Sequence, residues 1–345
     1  MAAYTAIDDP EAYFQAKLYT GNNTDGLAIT LDGDTDMSPN LIWFKVRSHA
    51  HSSCIADTVR GISDGGTEVI HSDLSNVETT CNASTGLKTA DSDGFTLGAE
   101  TSTSGSINGS SKTYVAWCWK ESATSGFDIV SYTGNAAQGR DLSHSLSAVP
   151  AMMLIKNREG TTDWIVYHHK NTSAPGTDHL KLNTSAATAD DDSTWNDTAP
   201  TSSVFTVKSS TSVNGSSTDY IAYLFAPKQG FSKFGSYTGN GNEDGPFVYT
   251  GFRPAFVMEK RANDTGDWTM QDNKRSTFNV TAANLLASTN GAEYTGTGNR
   301  IDILSNGFKC RKDDTDNNGS GDTYIYIAFA EAPFVNSEGV PCNAR

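Results

Sequence analysis

The chain has no apolar run near the twenty residues that span a bilayer, so we expect no transmembrane helix. The opening residues, MAAYTAIDDPEAYFQ, lack both a basic region and an apolar core, so we expect no secretory signal. Charged residues make up only 19% of the chain, and 25 Lys and Arg stand against 40 Asp and Glu. The formal net charge of −15 disfavours a nucleic-acid binder, and an anionic membrane surface would repel it for the same reason.

Cysteine and catalytic motifs are also scarce. Five scattered cysteines do not make a disulfide framework, and no CxxC or Cys/His spacing indicates zinc. The chain has no GxSxG elbow, no HExxH helix and no phosphate-binding glycine loop. We therefore predict a protein that is not an enzyme. The alternative is a polysaccharide-degrading enzyme, whose carboxylate pair cannot be found from sequence when Asp is this common.

Repetition is what the sequence has in abundance. The string YTGN occurs three times, at Tyr19–Asn22, Tyr132–Asn135 and Tyr237–Asn240. Each copy is followed by a proline-led apolar run: PNLIWFKVR, PAMMLIKNR and PAFVMEKRA. Each copy then ends on an aromatic-rich segment after an Asn-Gly turn: NGSSKTYVAWCWK, NGSSTDYIAYLFA and NNGSGDTYIYIAFA. The chain is therefore a tandem array of roughly hundred-residue units. A residue present in all three copies is expected to serve the fold, and one present once is a candidate for function.

Within each unit the apolar residues alternate with a period of two, and Asn-Gly, Pro-Gly and Asp-Gly breakers separate the runs. This pattern predicts an all-β protein of three tandem antiparallel β-sandwich (jelly-roll-like) units. The predicted divisions are an N-terminal anchor segment 1–16, units 17–120, 126–227 and 230–334, and a C-terminal tail 335–345. The linkers are too short for free tumbling, so the units should pack as a rigid rod or a compact cluster.

The one helix signal lies near the start of the chain. Asp9 can cap a helix, Pro10 suits its first position, and Tyr13 and Phe14 supply an apolar side. A helix this short must dock on something. It either covers an edge of the first unit or forms an assembly anchor that inserts into a partner or a sister subunit, and the second reading makes these four residues an assembly site.

Two loops are candidate calcium sites. Asp314, Asp316 and Asn318 match the opening of an EF-hand loop, but the twelfth position is Ile325 instead of Glu, and the other two copies lack the acids. An Asn-Gly turn that happens to be acidic is the alternative. Apart from calcium, no cofactor is predicted. The second candidate has alternate carboxylates in a loop before a strand: Asp32, Asp34 and Asp36.

Aromatic residues separate into repeated and unique ones. Trp164 and Trp268 follow an Asp at the same place in the second and third units, so we assign them to the scaffold. Trp195, in DDSTWND, and Tyr294, in GAEYTGTG, have no counterpart and sit among turn residues. Because loops carry recognition, these two are the candidate ligand-binding residues.

Cysteine and histidine positions follow the same logic. Cys118 aligns with Leu224 and Ala328, and Cys310 aligns with hydrophobic residues of the other units, so both are expected to be buried and reduced. His168 and His169 follow the strand WIVY without counterparts, and we interpret them as a surface pair at a strand end.

The strings YTGN, PAMMLIKNREGTTDWIVYH, STWNDTAPTSSVFTV and GDTYIYIAFAEAPF resemble those of a family of virion-associated, tail-fibre-like proteins of marine tailed phages, especially phages of cyanobacteria. The resemblance covers nearly the whole chain and is looser in the first unit. It implies a virion surface protein, and it supplies no catalytic residues.

The sequence therefore predicts a phage virion structural surface protein that presents loops for attachment to a host-surface glycan or protein. It would act as a tail fibre or as a capsid-decorating fibre. The predicted partners are other virion proteins of the tail or capsid and a host receptor, with no nucleic acid and no membrane insertion. We expect a symmetric homo-oligomer, with a trimer favoured, because multivalency turns weak contacts into high avidity.

Overall fold

The computed structural model describes residues 4–64, 66–82, 84–100, 107–296 and 300–342. Strands dominate them, and the predicted all-β class is confirmed. Helical structure in these ranges is limited to a 3₁₀ turn at Pro10–Ala12 and a single helical turn, α1, at Asp192–Trp195. No helix in the described part of the chain is long and apolar enough to cross a membrane.

The strands of the first repeat are β1 Phe14–Thr20, β2 Leu27–Thr30, β3 Leu41–Val46, β4 Cys54–Asp57, β5 Glu68–Val69, β6 Thr79–Thr80, β7 Leu87–Asp91, β8 Gly94–Leu97 and β9 Thr113–Trp119. They form a main sheet with the order β1-β9-β3-β4 and a smaller sheet with the order β2-β8-β7. The short pair β5 and β6 is connected to β4 by a bridge between Ile55 and Ile70.

The strands of the second repeat are β10 Phe127–Thr133, β11 Arg140–Ser143, β12 Met152–Asn157, β13 Ile165–His168, β14 Asp178–Lys181, β15 Ala189–Asp190, β16 Val204–Val207 and β17 Asp219–Phe225. They form a main sheet with the order β10-β17-β12-β13-β14-β15 and a small sheet of β11 and β16.

The strands of the third repeat are β18 Ser232–Thr238, β19 Phe247–Tyr249, β20 Phe252–Arg261, β21 Thr269–Asp272, β22 Leu285–Leu286, β23 Ile301–Leu304, β24 Gly307–Cys310 and β25 Thr323–Pro333. They form a main sheet with the order β18-β25-β20-β21-β22 and a small sheet with the order β19-β24-β23.

In all three main sheets, the strand that ends in YT pairs antiparallel with the closing strand in the same register. The tyrosine of the YTGN string lies opposite the tyrosine of the closing strand, and the two rings stack with centroids 5.0, 5.2 and 5.2 Å apart in the three repeats. The closing-strand hydroxyl accepts a 2.7 Å hydrogen bond from a turn glycine N–H each time. Tyr114, Tyr220 and Tyr324 are therefore equivalent residues of the three repeats.

Each main sheet is apolar on both faces, because successive side chains of a strand point to opposite sides. In β3, Ile42 and Phe44 pack inward with the smaller sheet, whereas Leu41 and Trp43 join a central cluster to which all three repeats contribute. Rings from different repeats meet there, such as Trp119 with Phe225, Phe256 and Phe329 at 5.8–6.4 Å. Of the two predicted arrangements, rod or cluster, the chain adopts the cluster.

The N-terminal segment is part of this core. Asp9 caps the 3₁₀ turn by accepting a 3.0 Å hydrogen bond from the N–H of Glu11, with Pro10 in the first position, as predicted. However, Phe14 opens β1, is 1% exposed and stacks on Phe329 at 5.1 Å. Its assignment to an assembly anchor is therefore wrong, because a ring in the central core cannot insert into a partner. A role of Asp9, Pro10 and Tyr13 in assembly stays a prediction.

The two repeated cysteine positions are also as predicted. Cys118 occupies the register of Leu224 and Ala328, opposite the proline-led strand, and both Cys118 and Cys310 are buried, free thiols. Burial raises the pKa of each thiol well above its ordinary value, so neither is a reactive thiolate.

Candidate functional site

Within the described residues, every aromatic side chain that is more than a third exposed lies in the third repeat. Exposed aromatic surface is costly to leave in water and usually marks a contact site. The four side chains and their exposed fractions are Phe247 at 47%, Tyr249 at 48%, Phe278 at 81% and Tyr294 at 54%.

Phe247 and Tyr249 lie on β19, the edge strand of the small sheet, with Val248 between them facing the core. The register identifies the equivalent positions, since Val248, Ile29 and Leu142 each lie opposite a buried phenylalanine. The two outward positions are Ala28 and Thr30 in the first repeat, and Asp141 and Ser143 in the second. The exposed aromatic pair therefore occurs in only one of the three copies.

Tyr249 is held in place by neighbours. The ammonium of Lys233 lies 5.0 Å from the centre of its ring and donates a 2.7 Å hydrogen bond to its carbonyl. The Tyr249 hydroxyl lies 3.2 Å from that of Tyr4, which also donates to the carbonyl of Gly251 at 2.9 Å. Burial and the bond to Tyr249 raise the pKa of Tyr4 to about 12, and burial lowers that of Lys233. These contacts fix the ring before any ligand arrives.

Gly307 lies opposite Tyr249, and its lack of a side chain leaves space for the ring of Phe247. A Cβ added at Gly307 would lie 2.1 Å from the carbonyl oxygen of Val248 and 3.0 Å from Cε2 of Phe247. Any larger residue would displace the aromatic edge strand.

A cleft of about 380 Å³ lies beyond the end of this strand, with Phe278 at its wall, and neither Phe247 nor Tyr249 is part of its lining. The carboxamide of Asn279 fixes the loop by exchanging two 2.9 Å hydrogen bonds with the backbone of Ile303. The carbonyl of Asn306 joins the cleft to β19, because it accepts hydrogen bonds from the N–H groups of Thr250 and Gly251. The lining residues are Arg253, Asn273, Ser276, Thr277, Phe278, Asn279, Ile303, Leu304, Ser305 and Asn306.

The cleft has both polar and apolar surface, and its described lining residues include no Asp or Glu. Arg253 is the only charged residue of its lining and is paired with Glu331. The side-chain oxygen of Asn273 is buried and has no hydrogen-bond partner among the described residues. Amides and hydroxyls beside exposed rings suit a ligand with both apolar faces and hydroxyl groups, which is the chemistry of a sugar.

Trp195 does not belong to any such site, and its prediction as an accessible binding residue is wrong. It is the last residue of α1 and is fully buried; its indole N–H donates to the carbonyl of Asp178 at 3.1 Å. Asp191 caps the helix by accepting from the N–H of Ser193 at 2.9 Å. This turn folds the loop DDSTWND inward and packs the indole on Tyr167.

Tyr294 is exposed, and its ligand-binding role stays a prediction. Its backbone exchanges hydrogen bonds of 2.8 and 2.9 Å with Asn284, so the residue stands on an ordered part of the loop. It is not part of the cleft lining.

The structure does not support the calcium candidates. No group of three or more His, Cys, Asp or Glu side chains in the described ranges could share a metal ion. Asn318 is a structural residue, whose side-chain oxygen accepts from the N–H of Asn240 at 2.9 Å, as Asn108 and Asn214 do in the other repeats. Asp32 pairs with Lys17, and Asp316 accepts from the N–H of Asp267. Asp34, Asp36 and Asp314 join no such group.

The interpretation of His168 and His169 as a surface pair is also wrong. His168 is fully buried, with Nε2 3.3 Å from the carbonyl of Tyr326, and burial lowers its pKa to about 3. The predicted scaffold role of Trp164 and Trp268 is confirmed: both are fully buried, and their indole N–H groups donate to the backbone carbonyls of His71 and Lys181 in the preceding repeats.

The chain belongs to a family described as a domain of unknown function, DUF7483, which matches residues 9–333. That match includes all three repeats and the aromatic strand. No curated protein matches the chain.

Proposed function

We propose that this protein is a structural surface protein of a phage virion that binds host-surface glycans through its third repeat. The observation that carries the proposal is that the exposed aromatic side chains of the described residues all lie in the third repeat. At the positions equivalent to Phe247 and Tyr249, the other two copies have small or polar residues. Because the three copies share one fold, the aromatic pair is not needed for folding, and a ligand is its simplest explanation.

The chemistry beside the pair favours a glycan over a charged protein surface. Phe247 and Tyr249 offer ring faces on which a sugar ring can stack, and the adjoining cleft offers amides and hydroxyls. The chain carries a net charge of −15, so long-range attraction would assist only a basic partner, whereas neutral sugars are unaffected by it.

The virion setting is supported by the resemblance of the repeated strings to tail-fibre-like proteins of marine tailed phages. It is also supported by the cluster of sandwiches, which forms a compact body suited to display on a particle. Attachment as a tail fibre and decoration of the capsid are both consistent with this proposal.

A glycan-binding experiment tests the proposed site. The purified full chain should bind polysaccharide from the host envelope, and replacing Phe247 and Tyr249 together by Ala should weaken binding by about tenfold or more, as for aromatic anchors elsewhere. The matched control is the pair Thr30→Ala and Ser143→Ala, at the equivalent outward positions, which should leave binding unchanged. Equal binding by the aromatic variant, with its melting temperature unchanged, would sink the proposed site.

The location on the particle needs a separate measurement. Immunogold electron microscopy with antibodies against the chain should label tails or capsids of intact virions. Particles that carry no label, from a lysate in which the chain is abundant, would contradict the virion assignment and leave the glycan site to stand by itself.

The alternative of a polysaccharide-degrading enzyme gains no support from the cleft. Glycoside hydrolysis uses two carboxyl groups on either side of the scissile bond. No Asp or Glu is part of the cleft lining, so this site does not supply that pair.

A further inference from the structure

The three repeats meet at three equivalent junctions around the central core. A lysine at the same register of each proline-led strand reaches across to a backbone carbonyl of the neighbouring repeat. Lys45 donates to Thr289, Lys156 to Ser75 at 3.0 Å, and Lys260 to Ser185 at 3.4 Å. Each repeat therefore packs against the next in a closed ring, and the junctions can be compared position by position.

At the junction of the first and second repeats, four charged residues form a chain in which Asp57 and Arg60 are buried and Glu78 and Arg158 are partly buried. Arg60 bonds to Asp57 and, at 2.9 Å, to Glu78, which also receives Arg158 of the second repeat at 2.7 Å. The hydroxyl of Tyr223 donates to Asp57 at 2.6 Å. Every charge has a partner, which is what burial of such groups requires.

The junction of the third and first repeats has the same chain at the same positions. Arg275 bonds to Asp272 at 2.6 Å and to Glu293 at 3.3 Å, and Glu293 receives Arg47 of the first repeat at 2.8 Å. The indole N–H of Trp117 donates to Asp272 at 3.1 Å, in the place of the Tyr223 hydroxyl.

The junction of the second and third repeats lacks this chain. Its backbone is equivalent: Thr188 N–H donates to the carbonyl of Ala262 at 2.9 Å, as Glu78 does to Arg158 and Glu293 does to Arg47. The four equivalent positions carry no Asp, Glu, Lys or Arg: they are His168, Asn171, Thr188 and Ala262, and the last three are smaller than their charged counterparts. The loss of one charge alone would leave the others unpaired, and this junction has none of the four.

The space released there is a pocket of about 440 Å³, within the range of ligand sites. Asn171 is 4% exposed, and its side-chain nitrogen has no hydrogen-bond partner among the described residues, although its oxygen accepts from Thr188 at 2.6 Å. A buried unpaired donor costs stability unless something else satisfies it. The lining residues are Lys170, Asn171, Thr172, Ser173, Thr188, Ser236, Ala262, Asn263 and Thr323.

The lining defines the ligand chemistry. Hydroxyls and carboxamides dominate it, which suits a small molecule with several hydroxyl groups. Lys170, exposed at the rim, is the only charged residue among its described lining residues. Two nearby carboxylates are hydrogen-bonded to the lining, Asp178 to Thr172 and Asp322 to Asn263 at 3.2 Å. Lys170 is therefore the lining group that would attract an anion.

We propose that the pocket between the second and third repeats binds an acidic monosaccharide, with its carboxylate at Lys170 and its hydroxyls against the Asn171 side of the pocket. This inference is independent of the proposed function, because it concerns a different surface and needs no virion setting.

Calorimetric titration of the full chain with glucuronic acid and with glucose tests the proposal. We expect glucuronic acid to bind more tightly than glucose, and Lys170→Gln to reduce its affinity by about tenfold. Lys208→Gln, a surface lysine of the same repeat, is the control and should change nothing. Equal affinity for the two sugars, or no binding of either, would overturn the proposal.

A second variant closes the pocket. Replacing His168 by Asp, Asn171 by Arg, Thr188 by Glu and Ala262 by Arg together restores the four charged side chains of the other two junctions, so each new charge has a partner. This quadruple variant should fold and lose glucuronic acid binding. Retained binding by the folded quadruple variant would place the sugar elsewhere and refute the site. If the quadruple variant does not fold, Ser236→Phe, on β18 at the wall of the pocket, provides the same test.

Discussion

Glu259 shows how one residue can depart from its repeat. It is buried on β20 at the position held by Phe44 and Ile155 in the other copies. The hydroxyl of Tyr237 lies 2.7 Å from its carboxyl oxygen, but burial dominates and raises the pKa of Glu259 to about 7. The Glu259 side chain therefore ionises within the core of the third repeat near neutral pH. The other two repeats have no carboxylate at this position.

The first prediction concerns the pH dependence of this residue. Between about 4.5 and 7, the folded state holds a proton that the unfolded chain releases, so its contribution to stability is complete below that range and lost above it. Glu259→Gln has no such proton. The variant should match the wild type near pH 4 and exceed its free energy of unfolding by about 1–3 kcal/mol at pH 8.

Urea denaturation at both pH values measures this difference. Glu338→Gln, at an exposed position, serves as the control and should show the same stability difference at pH 4 and at pH 8. A Glu259→Gln variant that is less stable than the wild type at pH 8 would contradict the argument.

The second prediction uses the repeats to choose a substitution. Cys118→Ala introduces the residue found at the equivalent position Ala328, so the fold tolerates it, but it leaves a small cavity in the first repeat. We expect a loss of about 1–2 kcal/mol in the free energy of unfolding, measured by denaturation under reducing conditions. A loss above about 4 kcal/mol would show that the thiol has a role beyond packing.

At the scale of elements, the closing strands and their turns are the best-specified part of the molecule. Asn108, Asn214 and Asn318 each accept from the N–H of the YTGN asparagine, so a side chain ties the start of a repeat to its end. Because this tie and the tyrosine pair both recur at fixed spacing, the sequence was sufficient to predict β9, β17 and β25 and their equivalence.

The third prediction tests that equivalence. Tyr114→Phe, Tyr220→Phe and Tyr324→Phe each remove the hydroxyl that accepts from a turn glycine and leave the ring stacked. Each should lower the free energy of unfolding by about 1–2 kcal/mol, because a buried N–H loses its partner. Tyr294→Phe, at an exposed position, should cost nothing measurable. Losses that differ widely among the three would mean that the turns are held differently.

Other elements could not be predicted, for reasons that lie in their patterns. A four-residue helix such as α1 has no periodicity, and its capping residue Asp191 is equally common in turns, so the sequence predicts a loop for DDSTWND. The strands β3 and β12 are buried along their whole length, and such a run does not say what covers its second face. The central packing of the repeats therefore came only from the structure.

The candidate site was partly within reach of the sequence. Tyr294 was identified because it is unique to one copy. The same comparison identifies Phe247 and Tyr249 when the segment FVY is aligned with LAIT of the first repeat and RDLS of the second. Only FVY has aromatic residues at the outward positions. The pocket near His168 could not be predicted from the sequence, because it lies at a junction between repeats whose residues are far apart in the chain.

At the scale of the whole molecule, the chain builds threefold packing by itself. The central cluster draws on all three main sheets, and Phe14 of the N-terminal segment completes it. The apolar side of the N-terminal segment, which suggested an assembly anchor, thus packs against the core of the same chain through Phe14 and Tyr13. A homo-oligomer stays a prediction, and it would have to use a different surface.

The fourth prediction follows from the shared core: no repeat should fold alone. The fragment 126–227 would expose Leu154, Tyr223 and Phe225 on the outer face of its main sheet, so it should aggregate or lack a cooperative melting transition. In the full chain, calorimetry should show one transition with equal calorimetric and van't Hoff enthalpies. In the same fragment, Leu154→Ser and Phe225→Ser together remove part of the exposed apolar face. This variant should be more soluble and still lack cooperative melting. Separate transitions in the full chain, or cooperative melting of the isolated fragment, would show that each repeat is stable on its own and that the central cluster only joins finished units.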